Sequence, residues 1–281
     1  MPRAGSTLLQ NVGQKCVENT KTQNFDSPPP TINQNQQIET NEIEQVYSSG
    51  MLFTIRKKTS DSAVLQHVII RDDYNINKLK LRDNPIIVDI GANIGTFSIK
   101  TGTVFNDGKI YAFEPEKDNY LILKKNIEDN KLNNVFAFNK AVSSKAEKCK
   151  LYAVGDDDIN FTQGKNTGGY TLIPRNENTK VDTNQVVETI SLDDIIKENK
   201  IDQIDYLKLD CEGSEFDILY SLPKEQFKKI KIISLEVHKR SRINQNPLAL
   251  KIFLEEQGFV CQQHQDLTWE LCIMYFIRRD V

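Results

Sequence analysis

Five short apolar runs recur between Ile86 and His238: "IIVDI", "KIYAFEP", "VFAFNKAV", "IDYLKLD" and "KIISLEVH". Segments of helical character lie between most of them, at about 95–104, 117–130, 214–222 and 247–257. Runs of Val, Ile and Leu without polar alternation suit strands buried on both faces, and helices of similar spacing suit the layers that cover them. The pattern predicts an α/β fold with a mostly parallel sheet. Two final runs, "GFVCQQH" and "ELCIMYFI", predict a closing hairpin. Ser214, three residues before Asp217, is placed to cap the helix after the fourth strand, and Gly258 to end the helix before the hairpin.

Ligands of an open parallel sheet bind beyond the carboxyl ends of its strands. Four of the runs close on acidic residues there: Asp89, Glu114, Asp210 with Glu212, and Glu236, with His238 two residues further on. Residues at i and i+2 share a face of a strand, so each pair is expected to point the same way. The first run enters "DIGANIG". A dinucleotide fold would want glycine at 91, 93 and 96, where this chain has Gly91, Asn93 and Thr96. The loop is therefore not built for a pyrophosphate. Glu114, at the end of the second run, is placed to accept both hydroxyls of a ribose. The combination favours an adenosine ligand without a second nucleotide. S-adenosylmethionine fits, its amino-acid end meeting Asp89 and the amides of the glycine loop.

"VDIGANIGTFS", "AFEPE", "NKAVSS", "IDYLKLDCEGSEFDIL" and "ISLEVH" together resemble the successive motifs of the FkbM family of S-adenosylmethionine-dependent methyltransferases. The resemblance runs from about Ile86 to the end of the chain. It implies a Rossmann-like seven-stranded sheet with helices on both faces and an antiparallel last strand. It also implies O-methylation of a sugar, glycan or small metabolite. Carried over by position, Asp89, Gly91, Asn93 and Gly95 form the methionine-side loop, Glu114 holds the ribose and Ala141 lines the adenine pocket. Asp210 lies near the sulfonium and the acceptor. Glu212, Glu236 and His238 face the acceptor hydroxyl. His238 is the preferred base because imidazole titrates near neutrality, with Glu212 next. Asp210, Glu236 and His238 are also competent to hold a divalent metal, although no metal is expected.

Outside that stretch the sequence says less. Residues 1–45 are rich in Asn, Gln, Thr and Pro and are expected to be a disordered tail. Residues 46–85 carry "MLFTI" and "VLQHVII", read as a small β-rich segment ahead of the methyltransferase domain at 86–281. The stretch 155–184 reads as a long irregular loop, either a binding loop or a surface insertion, and contains a formal glycosylation acceptor at Asn160. Five scattered cysteines, never C-x-x-C, argue for a reducing compartment without a disulfide framework. No apolar run reaches the roughly 20 residues of a membrane span, and no secretory leader is evident, so a cytoplasmic location is expected. A net charge of −3 and the absence of a basic, aromatic-studded stripe weigh against nucleic acid as the partner. So does "DCEG", where amino-methylases of bases would want an Asn/Asp-Pro-Pro-aromatic turn. A nicotinamide-dependent oxidoreductase and a non-catalytic adenosyl-binding module stay open as alternatives, and the oligomeric state is not indicated. "HKRSR" at 238–242 reads as a solvated loop, and the Y-x-x-x-K of Tyr120 and Lys124 as chance.

Overall fold

The computed structural model describes residues 43–154, 165–173, 180–269 and 271–279. The chain enters through a hairpin of β1 (Ile43–Ser48) and β2 (Met51–Arg56). Most of the expected tail, and Asn160, lie outside the described residues; Ile43 to Gln45 begin β1. Helix α1 (Asp61–Leu65) then runs directly into a π-helical turn over Gln66–Arg71. The strand expected over "VLQHVII" is therefore helix. Leu65, Val68 and Ile69 are all buried, a spacing that gathers them on one helical face but would divide them between the two faces of a strand.

The alternating part follows as β3 (Ile86–Ile90), α2 (Thr96–Val104), β4 (Lys109–Phe113), α3 (Lys117–Asp129) and β5 (Val135–Phe138). An excursion of β6 (Ala141–Ser143), β7 (Lys148–Val154), β8 (Tyr170–Thr171) and β9 (Lys180–Ser191) comes next. The chain returns through α4 (Leu192–Glu198), β10 (Tyr206–Leu209), α5 (Glu215–Ser221), α6 (Lys224–Phe227) and β11 (Ile232–His238). It ends in α7 (Pro247–Glu256) and the hairpin β12 (Phe259–Asp266) and β13 (Leu271–Arg278).

Seven strands form the central sheet in the order β12-β13-β11-β10-β3-β4-β5. Neighbouring pairs from β11 to β5 are parallel, and β13 runs antiparallel to both β11 and β12. This is the Rossmann-like sheet with an antiparallel last strand that the resemblance implied, and it bears out the mostly parallel sheet expected from the alternating runs. The run "VFAFNKAV" divides. Its first half is the edge strand β5, while Ala141–Ser143 joins β9 in a second, four-stranded sheet of order β6-β9-β7-β8. Asn139 fixes the break, donating from Nδ2 to the carbonyls of Glu114 and Pro115, each at 2.9 Å. The stretch read as one irregular loop thus contributes β8 and the start of β9.

Successive strand residues face opposite layers. Val88, Ile90, Leu207 and Leu209 pack with Phe216, Leu250 and Leu254, whereas Ile87, Ile110 and Tyr206 pack with Phe97. The second layer also includes Phe53, Leu65, Val68 and Ile69, so residues before β3 complete one face of the sheet. Helix ends follow local chemistry. Ser191 accepts from the Asp194 amide at 3.0 Å while its hydroxyl donates to the Asp194 carboxylate, and Asn246 accepts from the Ala249 amide with Pro247 in the first turn. Gly258 takes the left-handed conformation after α7, φ +97°. Ser214 does not cap α5. Its backbone is helical and its side chain makes no cap bond; the Glu215 carboxylate folds back instead to accept from the Cys211 and Gly213 amides. No helix among the described residues is long and apolar enough to cross a membrane.

Candidate active site

A cavity of about 660 Å³ opens at the carboxyl ends of β3, β4, β10 and β11. Gly91 makes the turn out of β3. Its φ is +77°, and a Cβ there would lie 1.7 Å from the Asp210 carbonyl oxygen, so the close approach of the two strand ends requires glycine. The Gly91 and Ala92 amides both donate to Phe113 O at 3.0 Å, which ties the turn to β4. Asn93 is also left-handed, φ +51°, and its amide donates to Glu114 Oε2 at 2.8 Å. Glu114 Oε1 accepts from the Glu116 amide at 2.9 Å. Burial raises the Glu114 pKa to about 7 against the pull of those two amides.

A second group of carboxylates surrounds His238. Its Nδ1 lies 3.0 Å from Glu215 Oε1, and its Nε2 lies 3.4 Å from Glu212 and 3.5 Å from Glu236. Burial alone would lower the pKa of this imidazole, but Glu212, Glu215 and Glu236 outweigh it and push it up to about 10. His238 is therefore an imidazolium at neutral pH, donating from both nitrogens. A charged imidazole is a poorer proton acceptor than the neutral base expected of it. The cation holds Glu215 in its charged form, with a lowered pKa despite complete burial. Glu236 goes the other way, raised to about 8 by burial and then by Asp210. Asp210, Glu236 and His238 do bring potential ligand atoms within 4.8 Å of one another.

Gly91, Asn93, Glu114, Ala141, Asp210, Glu212 and Glu236 line the cavity. Three expected residues do not. Asp89 is fully buried beneath it, accepting from Ser98 Oγ at 2.6 Å and Lys208 Nζ at 3.0 Å, because a carboxylate facing into the core needs such partners. Gly95 faces Leu123 of α3, where a Cβ would come within 2.4 Å of a methyl group. His238 stands behind Glu212 and Glu236.

Lining residues that the sequence did not single out come from two places. Tyr74, after the π-helical turn, donates to Asp210 Oδ2 at 3.3 Å. Gln263, Gln265 and Ile273 come from the final hairpin. Gly168, Gly169 and Tyr170, in the stretch read from the sequence as a binding loop or a surface insertion, line the cavity too. Thr171 Oγ1 donates to Glu212 O at 2.7 Å, and the Thr167 amide to Ser60 Oγ at 3.0 Å, so that segment joins the N-terminal layer to the turn after β10. Lys208 was legible as a lone charge in the apolar run "YLKL". Two cations of "HKRSR" are engaged away from the cavity: Arg240 pairs with Asp217 at 3.0 Å, and Lys239 stands 5.2 Å from the Trp269 ring.

The cavity suits an adenosyl amino acid. Its volume lies within the roughly 300–1,000 Å³ of small-ligand sites. Each Glu114 oxygen keeps a lone pair beyond its backbone amide for a ribose hydroxyl. Ala141, Val142, Leu151 and Phe113 give an apolar wall, and Asp210 gives a carboxylate for a cationic end.

The Methyltransferase FkbM domain model matches residues 89–261. Methyltransferase SdnD of Sordaria araneosa is 28% identical over 252 residues, covering 78% of this chain and 90% of that protein. The 31-O-demethyl-FK506 methyltransferase FkbM of Streptomyces tacrolimicus is 26% identical, covering 80% and 87%. The hexuronic acid methyltransferase AglP of Haloferax volcanii is 24% identical, covering 60% and 64%. The domain match alone takes in more than half of the chain, and the protein belongs to the FkbM family of S-adenosylmethionine-dependent methyltransferases.

Proposed function

We propose that this methyltransferase acts on a hydroxyl group of a sugar, glycan or small metabolite, with Glu236 as the proton acceptor. The observation that carries the reading is a cavity-lining carboxylate with raised proton affinity beside a buried imidazolium. Bound S-adenosylmethionine supplies an electrophilic methyl group. An alcohol is a weak nucleophile until its proton leaves, so the chain must provide a base where the oxygen is to be methylated, worth roughly 10²–10⁴-fold. Glu236 accepts that proton on a carboxylate oxygen in its ionised form, which grows as pH rises towards about 8, and His238 stays charged to balance Glu212 and Glu215. Asp210, oriented by the Tyr74 hydroxyl, and Glu212 accept hydrogen bonds from acceptor hydroxyls. Gly91, Asn93, Glu114 and Ala141 hold the donor. The names of two relatives favour such acceptors: one is a 31-O-demethyl-FK506 methyltransferase and the other a hexuronic acid methyltransferase.

The test is methyl transfer from labelled S-adenosylmethionine to a panel of hydroxylated, amino and carbon acceptors, with the products located by mass spectrometry and NMR. A methyl ether formed by the wild type and lost in Glu236→Gln is the expected result. Transfer confined to nitrogen or carbon would overturn the oxygen assignment.

A further inference from the structure

Lys208 is the one ammonium among the described residues that lines the cavity while itself 3% exposed. It sits on β10, on the strand face that looks away from the α5 layer. Its Nζ lies 3.0 Å from Asp89 Oδ1, 2.9 Å from Gly91 O and 3.8 Å from Asp210 Oδ2. The rings of Tyr74 and Phe97 flank it, with centroids 5.6 and 5.8 Å from Nζ. Those contacts hold three parts of the site to one cation: the buried acid at the end of β3, the glycine turn and the Asp210 carboxylate.

We propose that Lys208 is a positioning residue that fixes the Gly91 turn and Asp210, and that its charge sets how strongly the cavity prefers the cationic methyl donor over its neutral product. The physical reason is the charge lost in the reaction. S-adenosylmethionine carries a sulfonium, whereas S-adenosylhomocysteine carries a neutral thioether. Asp89 and Asp210 together would present two negative charges to anything in the cavity. A floor of that kind would bind the sulfonium tightly before reaction, and stabilisation of the ground state alone does not accelerate transfer. The ammonium offsets one of those charges at 3.0 Å and stands near the other. Coulomb interactions at an effective dielectric near 20 make one such charge matter over several ångströms. The inference concerns the donor only, so it holds whichever acceptor the enzyme uses.

The experiment is calorimetric titration of the full chain with S-adenosylmethionine and S-adenosylhomocysteine separately, for wild type, Lys208→Met, Lys208→Arg and Asp210→Asn. A purely structural lesion weakens both ligands alike and leaves the ratio of their dissociation constants unmoved. Lys208→Met is expected to shift that ratio toward S-adenosylmethionine by roughly three- to tenfold. Asp210→Asn should shift it in the opposite direction, and Lys208→Arg should leave it within about twofold of wild type. Lys208→Gln, which keeps a donor for Asp89 and Gly91, carries the same expectation as Met and replaces it if Met loses the cooperative melt. An unchanged ratio in the neutral Lys208 variant, or an equal shift in Lys208→Arg, would overturn the proposal.

Discussion

The two ends of the cavity both depend on carboxylates, Glu114 buried and Glu236 partly exposed, yet they neutralise them by different means. Glu114 is held by main-chain amides, those of Asn93 and Glu116. Its orientation follows from the backbone, including the left-handed Asn93, and no other side chain has to be charged for it to stay in place. Glu236 is surrounded instead by Asp210, Glu212 and His238, so its proton affinity depends on the charge of every neighbour. The difference suits the two proposed tasks. A group that only grips a ribose gains from a rigid amide cradle. A group that takes and releases a proton gains from neighbours that titrate with it.

Breaking the second arrangement should have the largest effect. His238→Ala takes the cation from among Glu212, Glu215 and Glu236 and leaves the fully buried Glu215 without its imidazolium. Removing one partner of a buried ion pair costs about 3–5 kcal/mol, which thermal melts near neutral pH will report, and turnover should fall with it. Glu236→Gln is expected to do the reverse on stability, changing it by about 1 kcal/mol or less, because a neutral amide replaces a group already inclined to be neutral; kcat should fall by roughly 10²–10⁴. A Glu236→Gln variant with wild-type kcat would remove this residue as the base. At the other end, Glu114→Gln keeps the shape but turns an NH₂ toward one of two amide donors. A loss of about 1–3 kcal/mol in S-adenosylmethionine binding, read by titration, is expected with kcat little changed. Unaltered affinity would mean that Glu114 does not hold the ribose.

Much of the sheet was legible because its strands are continuous apolar runs, and the carboxylates at their ends are punctuation that no core strand would keep for packing alone. Gly91 was legible for the same reason. What the sequence did not disclose depends on contacts between distant segments. Tyr74 reaches Asp210 across 136 positions, and nothing in "DDYN" announces it. The helical character of "VLQHVII" was present in the spacing of Leu65, Val68 and Ile69, but a short apolar run satisfies strand and helix templates equally well. The placement of Glu236 beside His238 followed from strand alternation. The protonation state of His238 did not, because it is decided by Glu215 at the start of α5 and Glu212 in the preceding turn. Asp89 was legible as a strand-end acid, and only its buried partner Lys208 shows why it faces the core rather than the ligand.

The dependence of stability on pH separates the two ends most cleanly. Glu114 has its pKa raised from 4.5 to about 7 and Glu236 from 4.5 to about 8, so each folds preferentially in the protonated form. For such groups the unfolded state binds fewer protons than the folded state between the two pKa values, so stability falls as pH rises from about 4.5 and levels off above the folded value. His238 is raised from 6.5 to about 10. Its contribution is present in full below 6.5 and is lost as pH rises through about 10, the same sign in a later window. Thermal melts between pH 4 and pH 10.5 should therefore show a first decline in Tm from about pH 4.5 to pH 8, from the two carboxylates, and a second that continues to about pH 10, from His238. Glu114→Gln should remove part of the first decline and leave the second, whereas His238→Ala should abolish the second. If Tm is flat across the whole range, the carboxylates at both ends are ionised and water-accessible, and the contrast between an amide cradle and a titrating cluster fails. If only the later decline appears, the cluster around His238 stands, and Glu114 is a carboxylate whose two amide donors outweigh its burial.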